Sequence, residues 1–195
     1  MSTTVRNIAV FASGSGSNAE NLIRYFNTMD SIHSPRIALV VTNRPDAMVI
    51  SRAEKAGVPV RILTRSQIND EAVMKALMEE FAIDAIVLAG FLLMVPLFLL
   101  RMYPDRIINI HPSLLPRYGG RGMYGRHVHQ AVIDAHDTIT GITIHYVNEE
   151  YDSGQILFQT SVPVTDTDTA DTVEAKIHAL EREHFPQVVH QLWGI

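Results

Sequence analysis

Asn109 and His111 are two polar side chains in an otherwise isoleucine run over residues 107–111. β-branched residues favour a strand, and its period of two puts both side chains on the same face. Pro112 ends this strand because it has no N–H to donate. Polar groups at the end of a buried strand are costly unless they have partners or a function. The pattern predicts a fixed amide donor beside an imidazole, although such a pair taken alone is more often structural than catalytic.

A third candidate, Asp152, lies in the polar turn over residues 148–154. An aspartate before Ser-Gly is most often only turn chemistry. If the turn folds back over His111, however, the carboxylate would raise the pKa of the imidazole and hold its orientation. The sequence therefore gives Asp152 a chemical role only together with His111.

A loop of small residues follows the apolar run over residues 8–12 and precedes a helical pattern over residues 19–26. A strand, a glycine-containing loop and a helix start together form a typical phosphate cradle. The loop also matches the permissive dinucleotide fingerprint Gly-x-Gly-x-x-Ala, but Asn43 stands where an acidic residue would bind the ribose. A single phosphate, a phosphorylated sugar or a tightly packed turn therefore remain as interpretations. The loop residues in question are Gly14, Ser15, Gly16, Ser17 and Asn18.

Strand and helix patterns alternate along the chain with short connections, which predicts an α/β fold with helices on both faces of a sheet. Two further strand patterns near the C-terminus, before a final helix, predict an antiparallel extension. The fold class is therefore a Rossmann-like, mostly parallel sheet with an antiparallel C-terminal extension. The predicted strands cover residues 8–12, 37–42, 58–63, 85–88, 107–111, 138–146 and 156–164, and two of the predicted helices cover 46–56 and 70–81.

Length and composition narrow the class of protein. The chain has 195 residues, a formal net charge of −5 and no cysteine. We expect a single domain over residues 1–195 in a cytoplasmic protein with no nucleic-acid or membrane partner. The first residues lack the long apolar stretch of a signal peptide, and Gly90 and Pro96 interrupt the most apolar segment. His127 and His129 are two positions apart without a third ligand beside them, so we expect no metal site.

Motifs in separate parts of the chain are similar to one family. Asn109 and the following Ile-His-Pro-Ser-Leu-Leu-Pro, residues 110–116, resemble the signature of the folate-dependent formyltransferases. The loop over residues 13–18 resembles the phosphate loop of the family members that formylate glycinamide ribonucleotide, and the similarity extends over essentially the whole chain. The resemblance implies formyl transfer in purine synthesis, with 10-formyltetrahydrofolate as co-substrate and glycinamide ribonucleotide as acceptor. It also implies no metal, and a monomer or homodimer.

The resemblance assigns roles residue by residue. It implies Asn109, His111 and Asp152 as catalytic residues, with Asn109 and Asp152 also contacting the folate. It implies a phosphate-binding half over about 1–100 and a folate-binding, catalytic half over about 101–195. The phosphate loop Gly14, Ser15, Gly16, Ser17 and Asn18 would bind the acceptor together with Glu181, and the folate pocket would comprise Phe91, Leu92, Leu93, Met94, Val95 and the turn over residues 148–154.

The sequence departs from the family pattern in two places, and three alternative functions remain open. The stretch after Phe91 lacks the basic residue that many relatives carry, and residues 118–125 are richer in glycine than the commonest version. We expect this glycine-rich loop to close over the site. The alternatives are a formyltetrahydrofolate hydrolase, a dinucleotide-binding redox protein and a non-catalytic binding module.

Overall fold

The computed structural model describes residues 5–29 and 34–194 of the chain. Residues 1–4, on which the expectation about a signal peptide rests, lie outside the described residues. Within the described ranges, no helix is both long and apolar enough to span a membrane.

Seven strands form one sheet in the order β3-β2-β1-β4-β5-β6-β7. Strands β1 to β5 are parallel, whereas β6 pairs antiparallel with both β5 and β7. The predicted α/β fold, mostly parallel with an antiparallel C-terminal extension, is confirmed. The strands are β1 (Asn7–Phe11), β2 (Arg36–Thr42), β3 (Val60–Ile62), β4 (Ala85–Leu88), β5 (Ile107–His111), β6 (Ile139–Tyr146) and β7 (Ile156–Pro163).

Helices cover both faces of the sheet, and each face has its own apolar core. One core combines side chains of four helices, such as Phe26, Val49, Val132 and Phe185, and the other includes Met74 and its neighbours. Both faces of the inner parallel strands β1, β2, β4 and β5 are therefore largely buried, which explains their mostly apolar sequences. The helices are α1 (Ser17–Asn27), α2 (Val49–Lys55), α3 (Arg65–Ile68), α4 (Glu71–Glu80), α5 (Leu97–Met102), α6 (Arg126–Asp134) and α7 (Ala170–Trp193).

The strand order reverses beside β1. The chain passes from β1 through β2 to β3 on one side, and then places β4 on the other side of β1. The loops that follow β1 and β4 both line a crevice at the carboxyl edge of the sheet. Ligands of open α/β sheets bind at such a switch point. The phosphate-loop candidates and the stretch that begins at Phe91 meet there.

Two local predictions had wrong bounds, and one short helix was not predicted. The helix predicted over residues 46–56 begins at Val49, because Arg44 and Ala47 close a turn first. The strand predicted over residues 58–63 spans only Val60–Ile62 at the sheet edge. The short helix Arg65–Ile68 was not predicted, although Thr64 and Gln67 form a capping box there.

Gly141 allows β6 and β7 to pair closely, since a Cβ atom at this position would lie 2.0 Å from the carbonyl oxygen of Thr160. We expect Gly141→Ala to lower the free energy of unfolding by about 3 kcal/mol or more, because the backbone of β7 has to shift. The measurement is urea-induced unfolding followed by circular dichroism.

Gly57→Ala is the matched control for this prediction. Gly57 has φ +70° and open space around its Cβ position, so only backbone strain of about 1–2 kcal/mol is expected. A Gly141→Ala variant no less stable than Gly57→Ala would contradict the steric account.

Candidate active site

A cleft of about 720 Å³ opens at the switch point of the sheet. It brings together loops that follow β1, β4 and β5, the turn before β7 and one side of α7. The cleft is lined by Gly14, Ser15, Gly16, Ser17, Asn18, Arg65, Ala89, Gly90, Phe91, Leu92, Leu93, Met94, Asn109, Ile110, His111, Pro112, Gly120, Arg121, Gly122, Met123, Tyr124, Gly125, Tyr151, Asp152, Glu174, His178 and Glu181.

The side-chain amide of Asn109 is held by two acceptors. Its Nδ2 lies 3.1 Å from Nε2 of His145 and 3.3 Å from Oδ1 of Asp152. His145 pairs with Asn109 across β5 and β6, and its Nδ1 donates to the carbonyl of Tyr146 at 2.8 Å. A ring whose single N–H is on Nδ1 has its lone pair on Nε2, which is the atom that faces the Asn109 amide. This network fixes which end of the amide faces Asp152.

The turn over residues 148–154 does fold back over β5. The Asp152 carboxylate lies 3.4 Å from Nδ1 of His111 and 3.7 Å from Nε2 of His145. Its second oxygen accepts from the backbone N–H of Gly120 at 2.9 Å. Asp152 itself has φ +53°, a conformation that aspartate tolerates better than most residues. One carboxylate thus joins side chains and backbone from three separate parts of the chain.

His111 is buried, and both ring nitrogens face acceptors. Nε2 lies 2.7 Å from the carbonyl oxygen of Tyr118, and Nδ1 faces Asp152. Burial lowers the pKa of His111, and although Asp152 and the Tyr118 carbonyl raise it, the net direction is downward. The sequence predicted that the Asp152 carboxylate raises this pKa, and it does, but desolvation of the imidazole at the strand end is the larger effect.

The Asp152 carboxyl keeps its charge in the same surroundings. Burial by itself would raise the pKa of Asp152, but the rings of His145 and His111 and the Gly120 N–H lower it below its ordinary value. Asp152 is therefore an anion at neutral pH, beside an imidazole whose protonation is opposed by burial and favoured by this carboxylate. This pairing suits an imidazole that takes up a proton during a reaction, because the adjacent carboxylate stabilises the resulting cation.

The phosphate-loop candidates lie around the start of α1. Gly16 precedes the helix with φ +74°, and a Cβ atom there would lie 2.5 Å from Cβ of Val49. Ser13 links this loop to its neighbours, since its hydroxyl donates to Asn43 at 2.6 Å and accepts from the Leu92 N–H at 3.0 Å. The helix start therefore opens into the cleft with unpaired N–H groups, as an anion requires.

Glu181 lies on α7 with only 7% of its surface exposed, and it lines the cleft beside Asn18. Burial raises the pKa of Glu181 to about 7, although a hydrogen bond with Asn18 acts in the opposite direction and lowers it. A buried carboxyl with such a pKa becomes fully ionised when a cationic or hydrogen-bond-donating group binds beside it.

The stretch after β4 forms an apolar wall of the cleft. Phe91 packs edge-on against Phe11, and Leu92 and Met94 are 38% and 45% exposed. Val95 is the exception among the predicted residues of this stretch, because it is buried in the core and does not line the cleft. The predicted turn over residues 148–154 contributes only Tyr151 and Asp152 to the lining.

Several groups in the cleft were not predicted from the sequence. His145 was given no role, yet it contacts both Asn109 and Asp152. Its spacing of two from Thr143 put it on one strand face, but only the antiparallel register with β5 brings it opposite Asn109. Arg65 and Arg121 also line the cleft, and nothing in their spacing indicated this. Among residues 5–29 and 34–194, no group of three or more His, Asp or Glu side chains is placed to hold a metal ion.

Known proteins resemble this chain in sequence over nearly its whole length. A Bacillus subtilis relative named phosphoribosylglycinamide formyltransferase is 36% identical over 195 residues, covering 98% of this chain and 96% of the relative. A chloroplastic phosphoribosylglycinamide formyltransferase from Arabidopsis thaliana is 34% identical over 189 residues and 94% of this chain. The chain spans 64% of the length of that plant relative and 18% of a trifunctional purine biosynthetic protein from Bos taurus.

Solved structures show the same fold. The phosphoribosylglycinamide formyltransferase from Bacillus halodurans superposes with a TM-score of 0.84 at 36% identity, covering 96% of this chain and 95% of the other. Glycinamide ribonucleotide transformylase 1 from Geobacillus kaustophilus gives a TM-score of 0.84 at 34% identity, with 97% and 100% covered. Residues 6–189 match the family described as Formyl transferase, and with this match over nearly the whole fold the chain belongs to that family.

Proposed function

We propose that this chain transfers the formyl group of 10-formyltetrahydrofolate to the amine of 5'-phosphoribosylglycinamide, a step of purine (IMP) biosynthesis. One observation carries the proposal: the loop at the start of α1 and the group Asn109, His111 and Asp152 line the same cleft. A phosphorylated acceptor and a reacting carbonyl group need these two features side by side. The names of the Bacillus subtilis and Arabidopsis relatives support the same reaction.

The acceptor would bind along the α1 and α7 side of the cleft. Its phosphate fits the N–H groups at the start of α1, next to Gly14, Ser15, Gly16 and Ser17. Asn18 and Glu181 lie beside this loop, and the ionised Glu181 carboxylate would accept hydrogen bonds from the glycinamide part. The amine then extends toward Asn109 and His111.

The folate would bind against the apolar wall formed by Phe91, Leu92, Leu93 and Met94. Exposed apolar side chains of this kind suit a flat heterocycle. The folate tail carries carboxylates, and Arg65 and Arg121 are the only Lys or Arg side chains among the described residues that line the cleft. They supply positive charge although this chain lacks the basic residue that many relatives carry after Phe91.

The chemistry begins when the acceptor amine attacks the formyl carbon. A C–N bond forms, the carbonyl oxygen becomes an oxyanion, and Asn109 donates to it through Nδ2. The Asn109 N–H that reaches Asp152 at 3.3 Å makes the longer of the two contacts, and is therefore the one that would turn to the oxyanion. Removal of such a donor typically costs about 10²–10³ in turnover.

A proton must then pass from the attacking nitrogen to the leaving nitrogen of the folate. Nδ1 of the neutral His111 accepts the amine proton, and Asp152 at 3.4 Å stabilises the imidazolium. His111 returns the proton to the folate nitrogen as its bond to the formyl carbon breaks, directly or through a water. The products are formylated glycinamide ribonucleotide and tetrahydrofolate, and neither a covalent enzyme intermediate nor a metal takes part.

We also propose that the chain acts in the cytoplasm as a monomer or homodimer.

A spectrophotometric formyl-transfer assay tests the proposed function. The dideaza analogue of 10-formyltetrahydrofolate serves as donor, with and without glycinamide ribonucleotide. We expect turnover only when the ribonucleotide is present. Equal turnover without it would identify a formyltetrahydrofolate hydrolase, and no turnover together with binding of a nicotinamide dinucleotide would favour a redox protein.

Asp152→Asn should lower kcat by about 10²-fold or more while the protein stays folded, because the neutral amide no longer stabilises the protonated His111. The amide oxygen can still accept from the Gly120 N–H, so the turn is retained. The variant also lowers the pKa of His111 further, since Asp152 raises it. Asp134→Asn, on the exposed side of α6, is the control, and near-normal kcat of Asp152→Asn would remove Asp152 from the mechanism.

Glu181→Gln should stabilise the protein at alkaline pH. The folded-state pKa of Glu181, about 7, exceeds the ordinary value of 4.5, so the folded protein binds more protons than the unfolded chain between these values. The wild type therefore loses stability as pH rises through this window, and the variant does not. We expect the stability difference to grow by about 2–3 kcal/mol from pH 5 to pH 8 in urea unfolding.

Glu183→Gln is the control for this experiment, because Glu183 lies two residues away with its side chain 66% exposed. It should leave the pH dependence of unfolding unchanged. The same pH dependence in both variants would show that Glu181 is not a neutralised buried carboxyl.

A further inference from the structure

We infer that Tyr118 and Asp137 are positioning residues, which hold His111 so that its Nδ1 is the nitrogen that exchanges the proton. The catalytic role given to these two residues rests on the proposed function. Their positions relative to His111 rest on contacts outside the cleft. Tyr118 contacts His111 through its backbone carbonyl, and Asp137 lies in the turn between α6 and β6.

The carbonyl of Tyr118 determines where the neutral His111 ring carries its proton. A separation of 2.7 Å between Nε2 and a carbonyl oxygen is a hydrogen bond only if Nε2 carries hydrogen. The neutral ring has a single N–H, so its lone pair is on Nδ1, facing Asp152. The nitrogen that takes up a proton is consequently the one with a carboxylate to stabilise the charge. Without the Tyr118 carbonyl, Asp152 would draw the single N–H of the ring to Nδ1 and leave no lone pair there.

Tyr118 is held by its own side chain. Its φ is +55°, a conformation that costs about 1–2 kcal/mol for a residue other than glycine. The phenol donates to Oδ2 of Asp137 at 2.7 Å, and the Asp137 side chain is only 14% exposed. This bond compensates the backbone strain and thereby fixes the direction of the carbonyl. Arg117 pairs with the other carboxylate oxygen of Asp137 at 3.0 Å, but its side chain is 60% exposed.

The same segment also positions the partner of His111. The Gly120 N–H donates to Asp152, and a Cβ atom on Gly119 would lie 2.6 Å from a methyl carbon of Leu115 and 3.3 Å from Cβ of Asp152. Residues 118–120 therefore contact both members of the His111–Asp152 pair through the backbone. A shift of Tyr118 would move both contacts together.

Tyr118→Phe tests the inference, because it removes the phenol hydroxyl and keeps the ring. We expect kcat to fall about tenfold, with KM for both substrates within about twofold, since substrate contacts are unchanged and only the proton-transfer geometry is affected. The decisive readout is ¹⁵N NMR of the His111 ring at a pH where it is neutral. Wild type should carry the proton on Nε2, and the variant should gain the Nδ1–H form.

Three further variants serve as controls and comparisons. Arg117→Ala keeps the bond between Tyr118 and Asp137, and should match wild type within about twofold in kcat and in ring tautomer. Asp137→Ala should reproduce the effect of Tyr118→Phe, and the double variant should be no worse than either single variant.

The pH dependence of kcat is a further readout, because it would not change if Tyr118 had a purely structural role. The titratable groups around His111 are Asp152, His145 on β6 and His129 on α6. None of these groups is altered by Tyr118→Phe. The carbonyl of Tyr118 raises the pKa of His111, so loss of this contact should shift the acid limb of the kcat profile to lower pH.

An unchanged His111 tautomer and wild-type kcat in Tyr118→Phe would overturn the inference. The NMR result does not depend on turnover, so the inference and the proposed function can fail separately. Wild type inactive in formyl transfer but with Nε2–H His111 would reject the function alone. Active wild type with Nδ1–H His111 would reject the inference alone.

Discussion

The arrangement of the site depends on one buried carboxylate. Asp152 contacts His111, Asn109, His145 and the Gly120 N–H at distances from 2.9 to 3.7 Å. Removing a carboxylate from water is costly unless hydrogen bonds and opposite charge replace the lost hydration. The end of β5, the end of β6 and the glycine-rich loop all supply such partners, so each of them is held in place by the same group. The catalytic chemistry proposed for the cleft uses the same charge.

The sheet determines which substrates can meet at that carboxylate. Because β1 and β4 are neighbours at the point where strand order reverses, the loop proposed to bind the phosphate and the apolar wall line one crevice. The antiparallel strand β6 then places His145 opposite Asn109 and turns the chain back so that Asp152 covers His111. Holding two substrates in one orientation supplies much of the rate enhancement that such a reaction needs.

Local patterns were sufficient to predict those parts of the site that a single strand or loop defines. The spacing of Asn109 and His111, and the glycines before α1, identified two walls of the cleft from sequence alone. His145 needed the register between two antiparallel strands, which no local pattern contains. The direction of the His111 pKa shift depends on burial, and Val95 lies in the core because the chain after Phe91 turns inward. These are properties of the packed molecule and not of a short segment.

The most direct measurement is an NMR titration of the His111 imidazole in the wild-type protein, with the resonance assigned by the loss of signal in His111→Asn. The proposed proton transfer requires a neutral His111 ring at pH 7, so the pKa of this ring should lie below the ordinary histidine value of about 6.5. Such a result would mean that His111 is available to accept the amine proton beside an ionised Asp152. A ring that is still protonated at pH 7 would contradict the account, and would make His111 a permanent cation that acts on the oxyanion instead.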